Sequence, residues 1–340
     1  MPHVADALTA ETIRIAGHDG DEIRAYLAQP TGDGPFGGVV VIHHMPGWDR
    51  WSKEVTRTFA AAGYLAICPN LHDREGKGAG PDDSAAAVRA AGGVPDARLV
   101  GDVDAAARHL RSLPSSNGKL GVIGYCSGGR QTFLAACKLP FDAAVDCYGA
   151  GVVGTPPPQA PFRWEPLIGL SPDLSCPLLG LFGAEDHFPS PEHVAELDAE
   201  LTRLGKVHEF HSYEGAGHAF FCVDRPSYRV EAALDGWARI WEWFGRHLSS
   251  CHTRVEGSPM CTYQTETVAV QGSGKGVATW FPVTTATVYF AHPQHASAEH
   301  TLNVDFLNPE RGPSARVAVE LTAASARALA EAILASLPRD

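Results

Sequence analysis

A cysteine flanked by glycines stands at position 126, in the segment Gly124-Tyr-Cys-Ser-Gly128. The apolar run before it predicts a buried strand and residues 127–138 predict a helix, so Cys126 falls on the turn between them. A sharp turn of this kind holds its central residue in a strained conformation, and a Cβ at either flank would collide with neighbouring chain. The helix N-terminus would point its partial positive charge at the sulfur and lower the pKa of the thiol. The pattern favours a nucleophile over a buried structural cysteine.

A thiol nucleophile needs a base for its proton and an acid that orients the base. Asp186 follows an apolar run that predicts a strand, and His218 follows a second predicted strand and a glycine-punctuated loop, in the chain order nucleophile, acid, histidine. Both should lie at the carboxyl edge of the sheet, where open α/β sheets build their sites. His218 would take the thiol proton and Asp186 would fix the imidazole tautomer. Two alternatives stay open: Glu185 as the acid, and Ser127 as the nucleophile, although a frame moved by one residue puts a tyrosine at a glycine position.

Alternating strands and helices must position these residues. Strands are predicted over residues 22–28, 38–44, 64–68, 120–123, 143–147, 177–182 and 210–213, and helices over 52–62, 82–91, 97–112, 127–138, 191–204 and 227–248. The continuous apolar run at 38–44 is typical of a strand covered by helices on both faces. The alternation therefore predicts an α/β fold with a mostly parallel, doubly wound sheet.

Four segments together resemble the dienelactone hydrolase family over residues 12–248. They are the glycine–cysteine turn at 124–129, the loops at 183–187 and 213–220, and the strand end at 39–47. The resemblance implies the α/β-hydrolase fold and an enzyme that opens lactone or ester bonds of small molecules. It also implies a triad of Cys126, Asp186 and His218 that forms an acyl-enzyme. The backbone N–H groups of Met45 and Ser127 would then form the oxyanion hole.

Two positions depart from the family pattern. His44 stands where the best-known members carry a glutamate that helps to deprotonate the thiol, so we expect it to accept a proton or to hydrogen-bond substrate. Cys222 stands where members acting on dienelactone carry an arginine that holds the substrate carboxylate. This loss argues against a dienelactone-like diacid as substrate, unless Arg225 or Arg229 replaces the missing arginine.

Aromatic residues beside the motifs are candidates for the substrate pocket. We expect Trp48, Tyr125 and Phe220 to line it together with His44. The proline-rich segment at 154–172, with Trp51 and Trp164, is expected near its mouth, although such segments are also common as plain loops.

The composition limits the class of partner. The 340 residues carry a formal net charge of −12, which disfavours nucleic acid and an anionic membrane surface. No apolar run is long enough to span a membrane and no secretory signal is visible, so we predict a cytoplasmic protein. Eight cysteines without a Cys-x-x-Cys pair predict reduced thiols and no zinc ribbon. The expected partner is a small-molecule ester or lactone, with no cofactor and with homo-oligomerisation left open.

The character of the chain changes after residue 248. We predict an α/β-hydrolase domain at 1–248, a linker at 249–259 and a small α+β domain at 260–340, which resembles a family of uncharacterised domains. Strands are predicted over 267–271, 276–282, 287–290, 301–306 and 316–321, with a hairpin turn at 272–276 and a final helix at 323–337 capped by Thr322.

Histidines cluster between two of these predicted strands. His292, His295 and His300, with Glu299, could bind a metal ion, because imidazole and carboxylate suit zinc. Their spacing matches no standard site, and a proline follows His292, so a polar turn that carries histidines is the preferred interpretation.

Three functions fit these observations. The first is a cysteine hydrolase of a lactone or ester. The second keeps the acyl-enzyme but uses it for acyl transfer or cyclisation in biosynthesis. The third is a ligand-binding or assembly protein derived from the hydrolase fold; the intact set of three residues argues against it.

Overall fold

The computed structural model describes residues 8–76, 79–155, 164–249, 266–275, 280–291, 301–308, 311 and 316–336. The chain divides into two compact units, Pro2–Cys251 and His252–Asp340. All but the first residue of the predicted linker at 249–259 lies outside the described residues. The domain bounds at 248 and 260 therefore stay a prediction.

The larger unit is built on one eight-stranded sheet. Its strands are β1 (Leu8–Ala16), β2 (Glu22–Pro30), β3 (Phe36–Ile42), β4 (Leu65–Pro69), β5 (Ser116–Tyr125), β6 (Ala143–Cys147), β7 (Leu178–Gly183) and β8 (His208–Tyr213). They lie in the order β1-β2-β4-β3-β5-β6-β7-β8. The pairs β1–β2 and β2–β4 are antiparallel, and every later pair is parallel. The predicted α/β-hydrolase fold with a mostly parallel sheet is confirmed.

Helices cover both faces of this sheet. They are α1 (Arg50–Ala61), α2 (Pro81–Ala90), α3 (Asp96–Ser112), α4 (Ser127–Lys138), α5 (Pro191–Arg203) and α6 (Val230–Leu248). In β3, Val40 and Ile42 pack in one core with residues of α3 and α4, whereas Val39 and Val41 pack in the other with residues of α1 and α6. Successive strand side chains point to opposite faces, which explains why β3 is apolar throughout.

Two local differences from the predictions concern this unit. Strand β1 was not predicted, and most of its residues are exposed, so it lacks the apolar pattern of the inner strands. Helix α1 begins at Arg50 rather than at Ser52, because the Asp49 side chain caps it by accepting the Ser52 N–H (2.9 Å). Both Asp49 and Ser52 are good capping residues, and only the backbone geometry decides between them.

The smaller unit contains a four-stranded antiparallel sheet in the order β12-β11-β10-β9. The elements are β9 (Glu266–Lys275), β10 (Trp280–Ala291), β11 (Thr301–Leu307), β12 (Arg316–Leu321) and α7 (Ala323–Ser336). The prediction of a break between strands at 276–282 and 287–290 was wrong, because β10 runs without interruption from Trp280 to Ala291; residues 276–279 lie outside the described residues. Gly272 and Gly274 pair with β10 inside β9, so residues 272–275 belong to a strand and not to the predicted turn. Thr322 caps α7 as predicted, accepting the Ser325 N–H.

Two further predictions concern a metal site and a membrane span. His292, His295 and His300 lie outside the described residues, so their proposed metal site stays a prediction. Within the residues that the structure describes, no helix is long and apolar enough to cross a membrane.

Candidate active site

Cys126 occupies the turn between β5 and α4, with φ 58° and ψ −120°. This left-handed conformation is rare for a residue with a side chain and is tolerated at functional sites. A Cβ at Gly124 would lie 2.1 Å from the carbonyl oxygen of Gly128, and a Cβ at Gly128 would lie 2.5 Å from that of Ile42. Both contacts are with backbone, which cannot move aside cheaply. The two glycines are thus required by the turn that presents Cys126.

Asp186 and His218 meet at the carboxyl edge of the sheet. They follow β7 and β8, and His218 Nδ1–H donates to Asp186 Oδ2 at 2.8 Å. The other carboxylate oxygen of Asp186 accepts the Phe188 N–H at 2.9 Å, which fixes the carboxylate plane. Asp186 is buried, whereas Glu185 is exposed. Of the two candidate acids, Asp186 is the one hydrogen-bonded to the histidine.

The thiol and the imidazole stabilise each other's charged forms. Burial by itself would raise the pKa of Cys126, but a hydrogen bond and the nearby charge of His218 bring that pKa below its usual value. Burial lowers the pKa of His218, yet hydrogen bonds to Asp186 and Cys126 raise it well above its usual value. The arrangement therefore favours a thiolate beside an imidazolium, the activated form of a cysteine nucleophile.

Two backbone N–H groups also face the sulfur. Those of Ser127 and Met45 lie close to Cys126 and contribute to the lowered pKa of its thiol. Ser127 is the first residue of α4, and Met45 follows the end of β3. When a substrate carbon is bonded to the sulfur, the oxygen on that carbon lies close to the same N–H groups. They are therefore placed as the donors of an oxyanion hole must be.

A cavity of about 550 Å³ opens beside Cys126 and Ser127. Its volume is in the range typical of small-molecule sites. Apolar side chains of α2 and the loop after it, including Val88 and Val94, form one wall. A separate set of polar side chains also lines the cavity: His43, His72, Asp96, Arg130, Gln131 and Glu165.

The polar wall contains residues that the sequence did not reveal. Arg130 is buried on α4, where it pairs with Asp96 (3.2 Å) and donates to the Glu165 carbonyl (3.0 Å). Burial lowers the pKa of His72 to about 2, so this histidine is neutral. His72 is distant in sequence from Cys126, whereas Arg130 lies one turn after it on α4 and is held by residues distant in sequence, Asp96 and Glu165.

The comparisons with known proteins decide the family. The sequence profile of the dienelactone hydrolase family matches residues 23–248. The chain belongs to the dienelactone hydrolase family. It is therefore an enzyme of the lactone and ester hydrolase class, as the sequence predicted. A second profile, the family of unknown function DUF6295, matches residues 260–340.

Individual relatives agree with this assignment. A carboxymethylenebutenolidase of Pseudomonas putida is 31% identical over 239 residues, which span 66% of this chain and 92% of that protein. An Escherichia coli K12 protein assigned as a carboxymethylenebutenolidase is 35% identical over 254 residues, 71% of this chain and 89% of that protein. A solved Klebsiella pneumoniae structure assigned as a dienelactone hydrolase is 32% identical with a TM-score of 0.63, and covers 71% of this chain and 100% of its own.

The structure places the expected pocket residues of this hydrolase in the protein core. Trp48, Tyr125 and Phe220 are 8%, 1% and 0% exposed, and none is among the described residues that line the cavity. Trp48 donates to the Cys68 carbonyl, and Tyr125 packs edge-on against Trp51. Trp164 does line the cavity. Trp48, Tyr125 and Phe220 instead pack in the hydrophobic core beside the sheet.

The predicted substitutes for the family's missing arginine also lie elsewhere. Arg229 donates to the backbone carbonyls of Gly215, Pro226 and Tyr228. Neither Arg225 nor Arg229 is among the described residues of the cavity lining, whereas Arg130 is. Among the described residues, no group of three or more histidine, cysteine or acidic side chains could hold a metal ion.

The lowered pKa of Cys126 predicts its alkylation profile in this hydrolase. Iodoacetamide reacts with the thiolate, whose fraction rises with pH through the pKa, so a lowered pKa moves the profile toward acid. The midpoint should lie below about 8.5, the pKa of an ordinary thiol. In His218→Asn it should rise by about one pH unit or more, because the cationic partner is lost. The measurement is the alkylation rate at Cys126, followed by peptide mass spectrometry between pH 5 and 10.

His187→Asn is the matched control, because His187 is exposed and lies next to Asp186 in sequence. Its profile should follow that of the parent protein. A midpoint that is the same in the parent and in His218→Asn would contradict the thiolate–imidazolium pair.

Proposed function

We propose that this protein hydrolyses the lactone or carboxylic ester bond of a small molecule through an acyl-enzyme on Cys126. The observation that carries the proposal is the convergence of three donors on one sulfur. The His218 imidazole and the N–H groups of Met45 and Ser127 all lie beside the Cys126 sulfur and lower the pKa of its thiol. A structural cysteine has no use for such an arrangement, whereas a nucleophile needs each part of it.

The first half of the reaction follows from this geometry. The Cys126 thiolate attacks the carbonyl carbon, a C–S bond forms, and the carbonyl electron pair moves onto oxygen. The Met45 and Ser127 N–H groups stabilise that oxyanion. When the intermediate collapses, the C–O bond to the leaving alkoxide breaks, and His218 Nε2–H supplies its proton. In a lactone the released alcohol stays attached to the acyl group.

The second half returns the enzyme to its starting state. His218, now neutral, takes a proton from water while that water attacks the thioester carbonyl. The second tetrahedral intermediate collapses with loss of the Cys126 thiolate, and the carboxylic acid is released. Asp186 holds Nδ1–H of the imidazole at 2.8 Å throughout, so that Nε2 always faces the reacting atoms.

Trapping the acyl-enzyme tests the proposal. Rapid mixing with 4-nitrophenyl acetate should give a burst of nitrophenolate, and acid quenching should leave an acetyl group on the peptide that contains Cys126. Cys126→Ala should show neither. Cys222→Ala is the control and should behave as the parent, because Cys222 is buried and absent from the described cavity lining. Equal steady-state rates for the parent and Cys126→Ala would overturn the proposal.

A further inference from the structure

His44 is one of the two residues that depart from the family pattern, and its ring hydrogen-bonds away from the cavity. His44 Nε2–H donates to Asp49 Oδ2 at 2.6 Å, and the ring packs against Trp51 with centroids 4.9 Å apart. His44 is 5% exposed and is not among the described residues that line the cavity. Its hydrogen-bonding nitrogen therefore faces Asp49 rather than the reacting atoms.

Asp49 is a fixed partner for this ring. It caps helix α1, with Oδ1 accepting the Ser52 N–H at 2.9 Å. Burial would raise its pKa, but the hydrogen bond and charge of His44 lower the pKa to about 2, so Asp49 is a carboxylate at neutral pH. Helix α1 is anchored in turn by core residues such as Val55 and Phe59. The His44 ring is thus tied to the N-terminus of a buried helix.

The main chain of His44 is held as firmly as its ring. Its carbonyl oxygen accepts the Gly47 N–H at 2.9 Å and His43 Nδ1–H at 3.0 Å. His43 Nε2 accepts the Leu71 N–H at 3.2 Å, so both ring nitrogens of His43 have backbone partners. Burial lowers the pKa of His43 to about 4, which leaves it neutral. His43 therefore joins the end of β3 to the chain after β4.

The carbonyl of His44 and the N–H of Met45 belong to the same peptide unit. A trans peptide is planar, and its C=O and N–H point in opposite directions. The two donors that fix the His44 oxygen therefore also fix the direction of the Met45 N–H, which faces the Cys126 sulfur. The hydrogen bond from the His44 ring to Asp49 fixes the side chain of His44, as these two donors fix its carbonyl oxygen.

We propose that His44 is a positioning residue, which through Asp49 and His43 holds the His44–Met45 peptide in the orientation that stabilises the oxyanion. This inference rests on the proposed function, because it assigns a task within that reaction. It replaces the expectation that His44 activates the thiol as a base. The proton of the thiol goes to His218, and His44 acts on the charge that develops on the substrate oxygen.

The two roles are separated by one pair of substitutions. The amide of His44→Gln keeps an N–H donor for Asp49 but cannot take up a proton, whereas His44→Leu has neither property. A positioning role predicts that kcat for 4-nitrophenyl acetate falls by about 10- to 100-fold in His44→Leu, with KM changed by less than about 3-fold. His44→Gln should recover most of that loss. A base role predicts that the two variants are equally impaired.

Alkylation supplies the second readout. Iodoacetamide attacks no carbonyl and develops no oxyanion, so its rate at Cys126 should change by less than about 3-fold in His44→Leu, because His218 and Ser127 still hold the thiolate. A thiol-activating His44 predicts that alkylation and turnover fall together. His208→Leu is the matched control, since His208 also pairs with an aspartate, Asp198 at 3.0 Å, and should leave both rates unchanged.

If His44→Leu does not fold, Asp49→Asn tests the same hydrogen bond from its other partner. Its amide oxygen can still cap α1, while the charge that binds His44 is gone, so kcat should fall by a smaller factor than in His44→Leu, with KM unchanged. Equal impairment of His44→Gln and His44→Leu, or an unchanged kcat in Asp49→Asn and His44→Leu, would overturn the inference. If the parent protein still carried an acetyl group on Cys126, the proposed function would stand although the role proposed for His44 had failed.

Discussion

Asp186→Asn should lower kcat/KM for 4-nitrophenyl acetate by about 10³-fold or more, with little change in thermal stability. The Asp186 carboxylate accepts from both His218 Nδ1–H (2.8 Å) and the Phe188 N–H (2.9 Å). An asparagine keeps one acceptor for Phe188 but turns an NH₂ group toward Nδ1. His218 must then accept at Nδ1 and carry its proton on Nε2, so it cannot take the proton of the Cys126 thiol.

Glu185→Gln is the matched control for this result. Glu185 is adjacent in sequence, has the same chemistry and is exposed, so its substitution should leave kcat/KM within about 2-fold of the parent. The same pair of variants decides between the two acids that the sequence left open. If Glu185→Gln were the impaired variant and Asp186→Asn the active one, the assignment of Asp186 to the triad would fail.

The fold was predictable because burial on both faces leaves a strong signal. Strands β3, β4, β6 and β7 are buried over almost their whole length, so each is an apolar run that the sequence displays directly, interrupted in β6 only by Asp146. Strand β1 lies at the edge of the sheet and is largely exposed. Its polar residues satisfy no apolar pattern, and its existence depends on pairing with β2. That long-range pairing is invisible in the sequence.

In the candidate site, too, some residues could be predicted from local sequence patterns and others could not. Cys126 and Asp186 were predicted because each follows a strand with a buried apolar run, His218 because it follows a further strand in the expected chain order, and the glycines at 124 and 128 mark a turn with a steric requirement. Trp48, Tyr125 and Phe220 were expected in the pocket because they lie near a motif in sequence, but they are buried and are not among the described residues that line the cavity beside Cys126. Tyr125 ends β5, and its side chain points into the core against Trp51. Adjacent residues on a strand face opposite sides.

The cavity wall depends on contacts between distant segments. Arg130 is held by Asp96 and by the Glu165 carbonyl, which come from α3 and from the loop before β7. No pattern of residue types over a short window predicts such a meeting. The bond between His44 and Asp49 is different, since five positions separate them. Asp49 is a residue type that caps helices well, and it lies close to His44 in the chain. The hydrogen bond between them could therefore have been predicted from the sequence.

Gly128→Ala should abolish the folded, active enzyme, and it is the largest effect on stability that we expect from a single added methyl group. The new Cβ would lie 2.5 Å from the carbonyl oxygen of Ile42 and 2.8 Å from that of His43, both backbone atoms at the end of β3. Relief requires α4 and β3 to separate, which would move Cys126 away from the Met45 N–H. We expect either no soluble protein or a melting temperature lowered by about 10 °C or more, with kcat reduced in any folded fraction.

Gly245→Ala is the control that separates this steric effect from the general cost of replacing a glycine. Gly245 lies within α6, and a Cβ there would meet nothing within 4 Å. Alanine is the better helix former by about 1 kcal/mol, so this variant should melt at the same or a higher temperature and keep full activity. Calorimetry and 4-nitrophenyl acetate turnover of both variants decide the matter. A Gly128→Ala protein that is as stable and as active as the parent would show that the turn holding Cys126 tolerates a side chain, and the geometric basis for its nucleophile would be lost.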